Sequence, residues 1–161
     1  MSKDKRRGRN NFVILLIITL AVFLTGLFGS LFTSTATKSQ WYLENKPSFT
    51  PPRIVFSIAW TILYILIILA IYFSWIKSKK SEKIKLLIIF GLNLISNALW
   101  SFLFFYLRNP LFGFIDLLII FSTIIWALFY TKKINPVSTF LLIPYLLWII
   151  FAGILNLSFG L

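Results

Sequence analysis

Residues 41–52 read WYLENKPSFTPP, from Trp41 to Pro52. They form the one long polar and aromatic interruption in a chain that otherwise alternates apolar runs with short basic joints. Three prolines, Pro47, Pro51 and Pro52, fix φ at three places, which makes the stretch stiff rather than a free linker. Trp41, Tyr42 and Phe49 are too apolar to serve as filler between two hydrophobic helices. The expectation is a segment, 34–53, that folds back as a lid over the mouth of a pocket.

The runs on either side set the fold class. Of 161 residues, 59% are hydrophobic and only 12% are charged, whereas a soluble domain carries about a quarter charged residues. The chain reads as an all-α integral membrane protein built as a five-transmembrane-helix bundle. Residues 1–11 form a basic N-terminal tail and 12–161 a single membrane domain. The first span, 12–32, has no charge and is long enough to cross a bilayer. Ser34-Thr35-Ala36 has the small residues of a signal-peptide cleavage site, but the apolar run exceeds the ~7–15 residues of a signal core. Gly26 and Ser30 form a small-xxx-small pair, read as ordinary helix packing. The later spans fall at 54–76, 86–107, 111–130 and from 137 to about the C-terminus, the last with Pro144 inside it. Thr50 is the expected N-cap of the second span, with Pro51 at its first helical position.

Five spans divide the basic residues unequally. Lys3, Lys5, Arg6, Arg7, Arg9, Lys77, Lys79, Lys80, Lys83, Lys85, Lys132 and Lys133 fall on one side; Lys38, Lys46, Arg53 and Arg108 fall on the other. The positive-inside bias places the N-terminus in the cytoplasm and the 41–52 loop outside. It also accounts for the net charge of +12 without nucleic acid, because the basic residues sit between apolar runs rather than on one amphipathic face. The Ile-, Lys- and Phe-rich composition points to a bacterial cell membrane.

The chain has no Cys and no His, and its single Met is Met1. Thiolate chemistry, histidine acid–base chemistry and the usual axial ligands of haem iron are absent, Tyr excepted. No metal site is expected, and no cofactor is required.

Three spans carry a face unsuited to lipid. Phe56, Trp60 and Tyr64 recur at spacings of 4 and 4; Asn93, Asn97, Trp100 and Phe104 at 4, 3 and 4; Tyr145, Trp148, Ala152 and Asn156 at 3, 4 and 4. Each series is one helical stripe. An unbonded amide in hydrocarbon is costly, so these asparagines face the bundle interior and bring the aromatics with them. Asparagines that glue helices together are one reading; amides among indole and phenol rings in a mostly apolar pocket are the other. Such a pocket suits a flat, polycyclic, apolar ligand. Asp116 is the only intramembrane acid, about 8 Å into the fourth span at 1.5 Å per residue. It serves either as a ligand-directed carboxylate or as a structural hydrogen-bond partner.

These motifs together resemble the TspO/MBR family, the tryptophan-rich sensory proteins related to the mitochondrial translocator protein. The resemblance covers roughly residues 20–157. It rests on Trp41-Tyr42 with Lys46-Pro47-Ser48-Phe49-x-Pro51-Pro52, on Trp60, and on Asn97-x-x-Trp100-Ser101 with Phe104-Phe105. Asp116 and the series Pro144-Tyr145-Leu146-x-Trp148-x-x-Phe151-Ala152-x-x-Leu155-Asn156 complete it. It implies a five-helix bundle, a homodimer, and binding of porphyrins such as protoporphyrin IX beside membrane lipid. It also implies links to tetrapyrrole and stress regulation and to light-dependent porphyrin breakdown, with Trp60 and Trp148 matching tryptophans tied to that photochemistry. Carriage of porphyrin or lipid, and ligand-dependent regulation of a membrane partner, are the alternatives. Trp60, Asn97, Trp100 and Trp148 match family pocket positions, and Trp41 and Tyr42 match the loop above. Two departures stand out: Asn93 occupies a position where the family often has Gln, and the sterol motif of animal relatives is missing after Asn156. The expected ligand-binding set is Trp41, Tyr42, Phe56, Tyr64, Asn93, Asn97, Trp100, Phe104, Asp116, Tyr145 and Ala152, with Trp60 and Trp148 as the reactive pair.

Overall fold

Helices cover the membrane domain in a computed structural model that describes residues 3–159, with side chains from residue 8. The elements are α1 (Lys3–Ala36), α2 (Gln40–Asn45), α3 (Arg53–Lys77), α4 (Lys80–Ser101), α5 (Pro110–Ile134) and α6 (Pro136–Leu157). No strand occurs among the described residues. Among the described residues five helices are long and apolar enough to cross a membrane, and the protein is an integral membrane protein. The expected spans are all present with shifted ends: most begin earlier, and the last stops at Leu157 rather than running to about the C-terminus. α1 continues through residues 3–11 of the basic tail, and Met1 and Ser2 lie outside the described residues.

The long helices form a closed ring in which α1 packs on α3 and α4, α5 on α4 and α6, and α6 on α3. Close approach is set by missing side chains. A Cβ at Gly26 of α1 would stand 2.7 Å from the Tyr64 ring on α3, and one at Gly29 would stand 3.1 Å from the Ser101 hydroxyl on α4. The packing role read for the first of these positions therefore has a specific partner.

The ends of the elements follow local chemistry. α1 runs past the expected boundary to Ala36, and around its end Thr33 and Thr37 return their hydroxyls to the carbonyls of Gly29 and Thr33. Ser39 then caps α2, accepting from the Tyr42 N–H at 3.3 Å. Thr50 is not the N-cap of α3, contrary to the sequence expectation. Its hydroxyl donates to the Pro47 carbonyl at 2.7 Å, closing a turn, and the helix begins at Arg53. The reason is steric: Pro52 pushes the preceding Pro51 out of the helical region, so no helix can form until both prolines have passed. Asn109 and Asn135 cap α5 and α6, each followed by a proline at the first helical position.

One irregularity escapes the 3.6-residue pattern. Phe102–Tyr106 form a π-helical turn at the end of α4, with the Leu107 N–H bonded to the Phe102 carbonyl at 3.0 Å. The wider turn buries two consecutive rings, Phe104 and Phe105, which an α-helix places about 100° apart. Phe104 stacks on Trp100 at 5.1 Å, and Phe105 meets the same indole edge-on.

Gly113 of α5 stands against both α6 and the π-helical turn, where a Cβ would lie 2.9 Å from Asn156 Oδ1 and 3.1 Å from Phe104. Asn156 also accepts the Trp100 indole N–H at 3.3 Å and donates to the Pro110 carbonyl at 2.7 Å. Gly113→Ala should overpack this junction and lower stability by about 1–3 kcal/mol. Thermal unfolding in detergent measures it, and an unchanged midpoint would refute the tight junction.

Candidate functional site

The bundle is filled unevenly along its length. Toward the α3–α4 connection it is solid, closed by Ile67, Ala70, Ile71, Ile89, Ile124 and Leu142. Toward the α1–α3 connection the helices surround a cavity of about 580 Å³. All five long helices contribute to it, together with the 41–53 segment. This volume lies within the ~300–1,000 Å³ of small-molecule sites.

Aromatic rings build its inner wall. Trp60 on α3 meets Tyr64 at 5.2 Å, and it meets Tyr145 and Trp148 of α6 edge-on at 6.4 Å each. Phe56 closes on Trp148 at 5.6 Å. Trp100, Phe105 and Ala152 also line it. α1 supplies the small and hydroxyl-bearing positions Gly26, Gly29, Ser30, Thr33 and Ser34, and Thr37 follows just beyond its end.

A chain of hydrogen bonds runs from this cavity into the packed core. Tyr64 Oη donates to Asn97 Oδ1 at 3.2 Å, and Asn97 Nδ2 donates to Tyr145 Oη at 3.0 Å. Tyr145 Oη donates to Asn93 Oδ1 at 3.1 Å. Asn93 Nδ2 donates to Thr123 Oγ1 at 2.9 Å and to the Ile120 carbonyl at 3.3 Å. Four helices are thereby tied through groups that hydrocarbon cannot solvate.

Of the residues expected at the site, Tyr42, Phe56, Trp60, Tyr64, Asn97, Trp100, Trp148 and Ala152 line the cavity. The other five stand behind it. Asn93 and Tyr145 are buried, 2% and 1% exposed, and hold the hydrogen-bond chain. Phe104 backs Trp100. Trp41 packs at 5.9 Å on Phe104 and 4.8 Å on Phe159, anchoring the loop to the bundle rather than facing the cavity. Asp116 is 4% exposed, approached by the Ser96 hydroxyl, with its Oδ2 unpartnered.

Two basic residues at the mouth were not anticipated from sequence. Lys46 follows α2, and Arg53 opens α3 with its guanidinium donating to the Thr37 carbonyl. Both line the cavity. Burial pushes the Tyr42 phenol pKa up, and the neighbouring Arg53 charge opposes that shift. The cavity-lining part of α1 before residue 34 was also missed, although Gly26, Ser30 and Thr33 at spacings of 4 and 3 form one stripe.

Comparison with known sequences decides the relationship. Residues 17–161 match the TspO/MBR family. The chain belongs to the TspO/MBR family. It is 38% identical over 148 residues to the "Tryptophan-rich protein TspO" of Archaeoglobus fulgidus, covering 92% of this chain and 95% of that one. It is 30% identical over 141 residues to the bovine "Translocator protein", covering 86% and 83%. The "Protein CrtK" of Rhodobacter capsulatus is 28% identical over 141 residues, covering 86% of each. The tryptophans of this TspO/MBR member that face the cavity are Trp60, Trp100 and Trp148.

The hydrogen-bond chain makes a ranking of substitutions. Tyr145→Phe strands the Asn97 Nδ2 donor and the Asn93 Oδ1 acceptor inside the bundle, and should cost about 1–3 kcal/mol. Tyr64→Phe removes one terminal donor at the cavity and should cost about 0.6 kcal/mol, an average membrane hydrogen bond. Unfolding in mixed detergent compares them, and an effect at Tyr64 equal to that at Tyr145 would contradict the chain.

Proposed function

We propose that the protein binds a porphyrin of the protoporphyrin IX type in the cavity and promotes its light- and oxygen-dependent degradation. The observation that carries this reading is the cavity itself: about 580 Å³, walled by Trp60, Trp100, Trp148, Tyr64 and Phe56, with Asn97 as a polar anchor. Indole and phenol rings stack against a flat conjugated macrocycle, and sparse polar groups orient it. The family supports the same ligand class through the resemblance described above. With no His, no Cys and only Met1, the chain favours the metal-free macrocycle over haem.

In this reading Trp60 and Trp148 supply electrons to the light-excited porphyrin or to the oxygen species it generates. Their edge contact at 6.4 Å puts both indoles on one wall of the cavity. The 41–53 segment acts as the lid, with Tyr42 and Leu43 on the ligand side and Trp41 as its anchor. Signalling of tetrapyrrole or oxidative stress would follow from occupancy of the same cavity. A carrier needs access from both faces, and the packed half beyond Ile67 and Ile89 supports ranking binding above carriage. A homodimer belongs to this reading on the family resemblance alone. Residence in a bacterial cell membrane rests on composition.

Replacing both Trp60 and Trp148 by Phe should leave protoporphyrin IX binding within about tenfold while abolishing its bleaching under aerobic illumination. Absorbance decay of the bound porphyrin measures it, and undiminished bleaching in the double variant refutes the electron-donor role.

Orientation follows from the distribution of Lys and Arg, with the cavity mouth on the non-cytoplasmic side. The native chain lacks cysteine, so Asn45→Cys introduces a single thiol beside the mouth. A membrane-impermeant maleimide should label it in intact cells. Labelling only after the membrane is opened would reverse the orientation.

A further inference from the structure

We propose that the mouth of the cavity is a carboxylate clamp, in which Lys46 and Arg53 hold the acid group of a ligand whose aromatic body lies among Trp60, Trp100 and Trp148. The proposal deepens the porphyrin reading by adding a charge requirement, and it extends to flat aromatic acids in general.

The clamp is built by the fold. Arg53 is the first residue of α3, and its Nη2 is tied to the Thr37 carbonyl at the end of α1. A guanidinium carries five N–H donors, so this one bond positions the fork and leaves most of it to bind an acid. Lys46 is placed by the end of α2, where its backbone N–H bonds the Tyr42 carbonyl at 3.0 Å. Both side chains line the same cavity, whose other walls are apolar or neutral.

No protein carboxylate competes for them among the described residues. Glu44 is engaged by Gln40 Nε2 at 2.7 Å. Glu82 accepts the Lys79 backbone N–H at 2.6 Å, at the start of α4. Asp116 is buried in the bundle near Ser96. The start of α3 adds to the field: it has neither a side-chain cap nor an acidic residue in its first turn. The partial positive charge of that helix end is therefore uncompensated and favours an anion. A carboxylate between an oriented guanidinium and an ammonium makes charge-assisted hydrogen bonds, stronger than neutral ones.

The test titrates the full-length protein in uncharged detergent, following quenching of tryptophan fluorescence. Two acid–ester pairs serve as probes: protoporphyrin IX with its dimethyl ester, and 1-pyrenebutyrate with its methyl ester. Each acid should bind about tenfold or more tightly than its ester. The Lys46→Gln/Arg53→Gln variant should bring acid and ester together while holding the ester affinity unchanged, which reports an intact cavity. Arg53→Lys, which preserves charge, should retain part of the preference. Equal binding of acid and ester in the native protein overturns the clamp, as does an undiminished preference in the double variant. If the pyrene pair discriminates and neither porphyrin binds, the clamp stands and the porphyrin reading falls. If both porphyrins bind equally, the clamp falls and the porphyrin reading stands.

Discussion

An amide that cannot meet water must meet another protein group, and the rest of this bundle depends on how Asn93 and Asn97 satisfy that constraint. Both lie on α4, one turn apart, at a depth where the surroundings are apolar. Tyr64 from α3, Tyr145 from α6 and Thr123 from α5 supply their side-chain partners. Each bond is modest in net energy, but an unmade one in hydrocarbon carries the full desolvation cost. Helix register is therefore fixed more sharply than apolar side chains alone would fix it. Once α3, α4, α5 and α6 are held in this register, the faces bearing Trp60, Trp100 and Trp148 converge.

Convergence leaves the two halves of the bundle unlike each other. On one side of the hydrogen-bond chain, branched aliphatic residues fill the interior. On the other, large rings and glycines alternate, and they do not close the space. Tyr64 fits against α1 only because Gly26 offers no Cβ, and Phe104 reaches its place only because Gly113 offers none. The polar chain is thus the floor of the cavity as well as the brace of the helices. Asn97 belongs to both, bonded within the chain and exposed at the cavity wall, whereas Asn93 serves the packing alone.

Much of this was legible in the sequence because membrane helices announce themselves by uninterrupted apolar length. The interior faces were legible too, since an amide or indole recurring at helical spacing has few other places to go. Depth was not. Asn93 and Asn97 share a stripe, yet only Asn97 reaches the cavity, because a stripe runs the whole length of a helix and the cavity occupies part of it. Phe104 and Tyr145 were assigned to the ligand set for the same reason. The α1 wall was obscured by a helix apolar almost all round, where small residues signal packing as readily as space. The π-helical turn has no periodic signature, and the start of α3 was set by two adjacent prolines outweighing a good capping residue.

The hydrogen-bond chain also has a direction, and the Ile120 carbonyl sets it. A carbonyl only accepts, so the Asn93 amide must turn its nitrogen toward Ile120 and its oxygen toward Tyr145. Each later group then has to pass its hydrogen inward, until Tyr64 gives its own to Asn97. What remains of the Tyr64 hydroxyl at the cavity is a lone pair. At that hydroxyl the cavity floor offers an acceptor, whereas the Lys46 and Arg53 side chains at the mouth offer only donors. The two ends of one apolar space thus differ in hydrogen-bonding character, a polarity that the apolar packing around them could not supply.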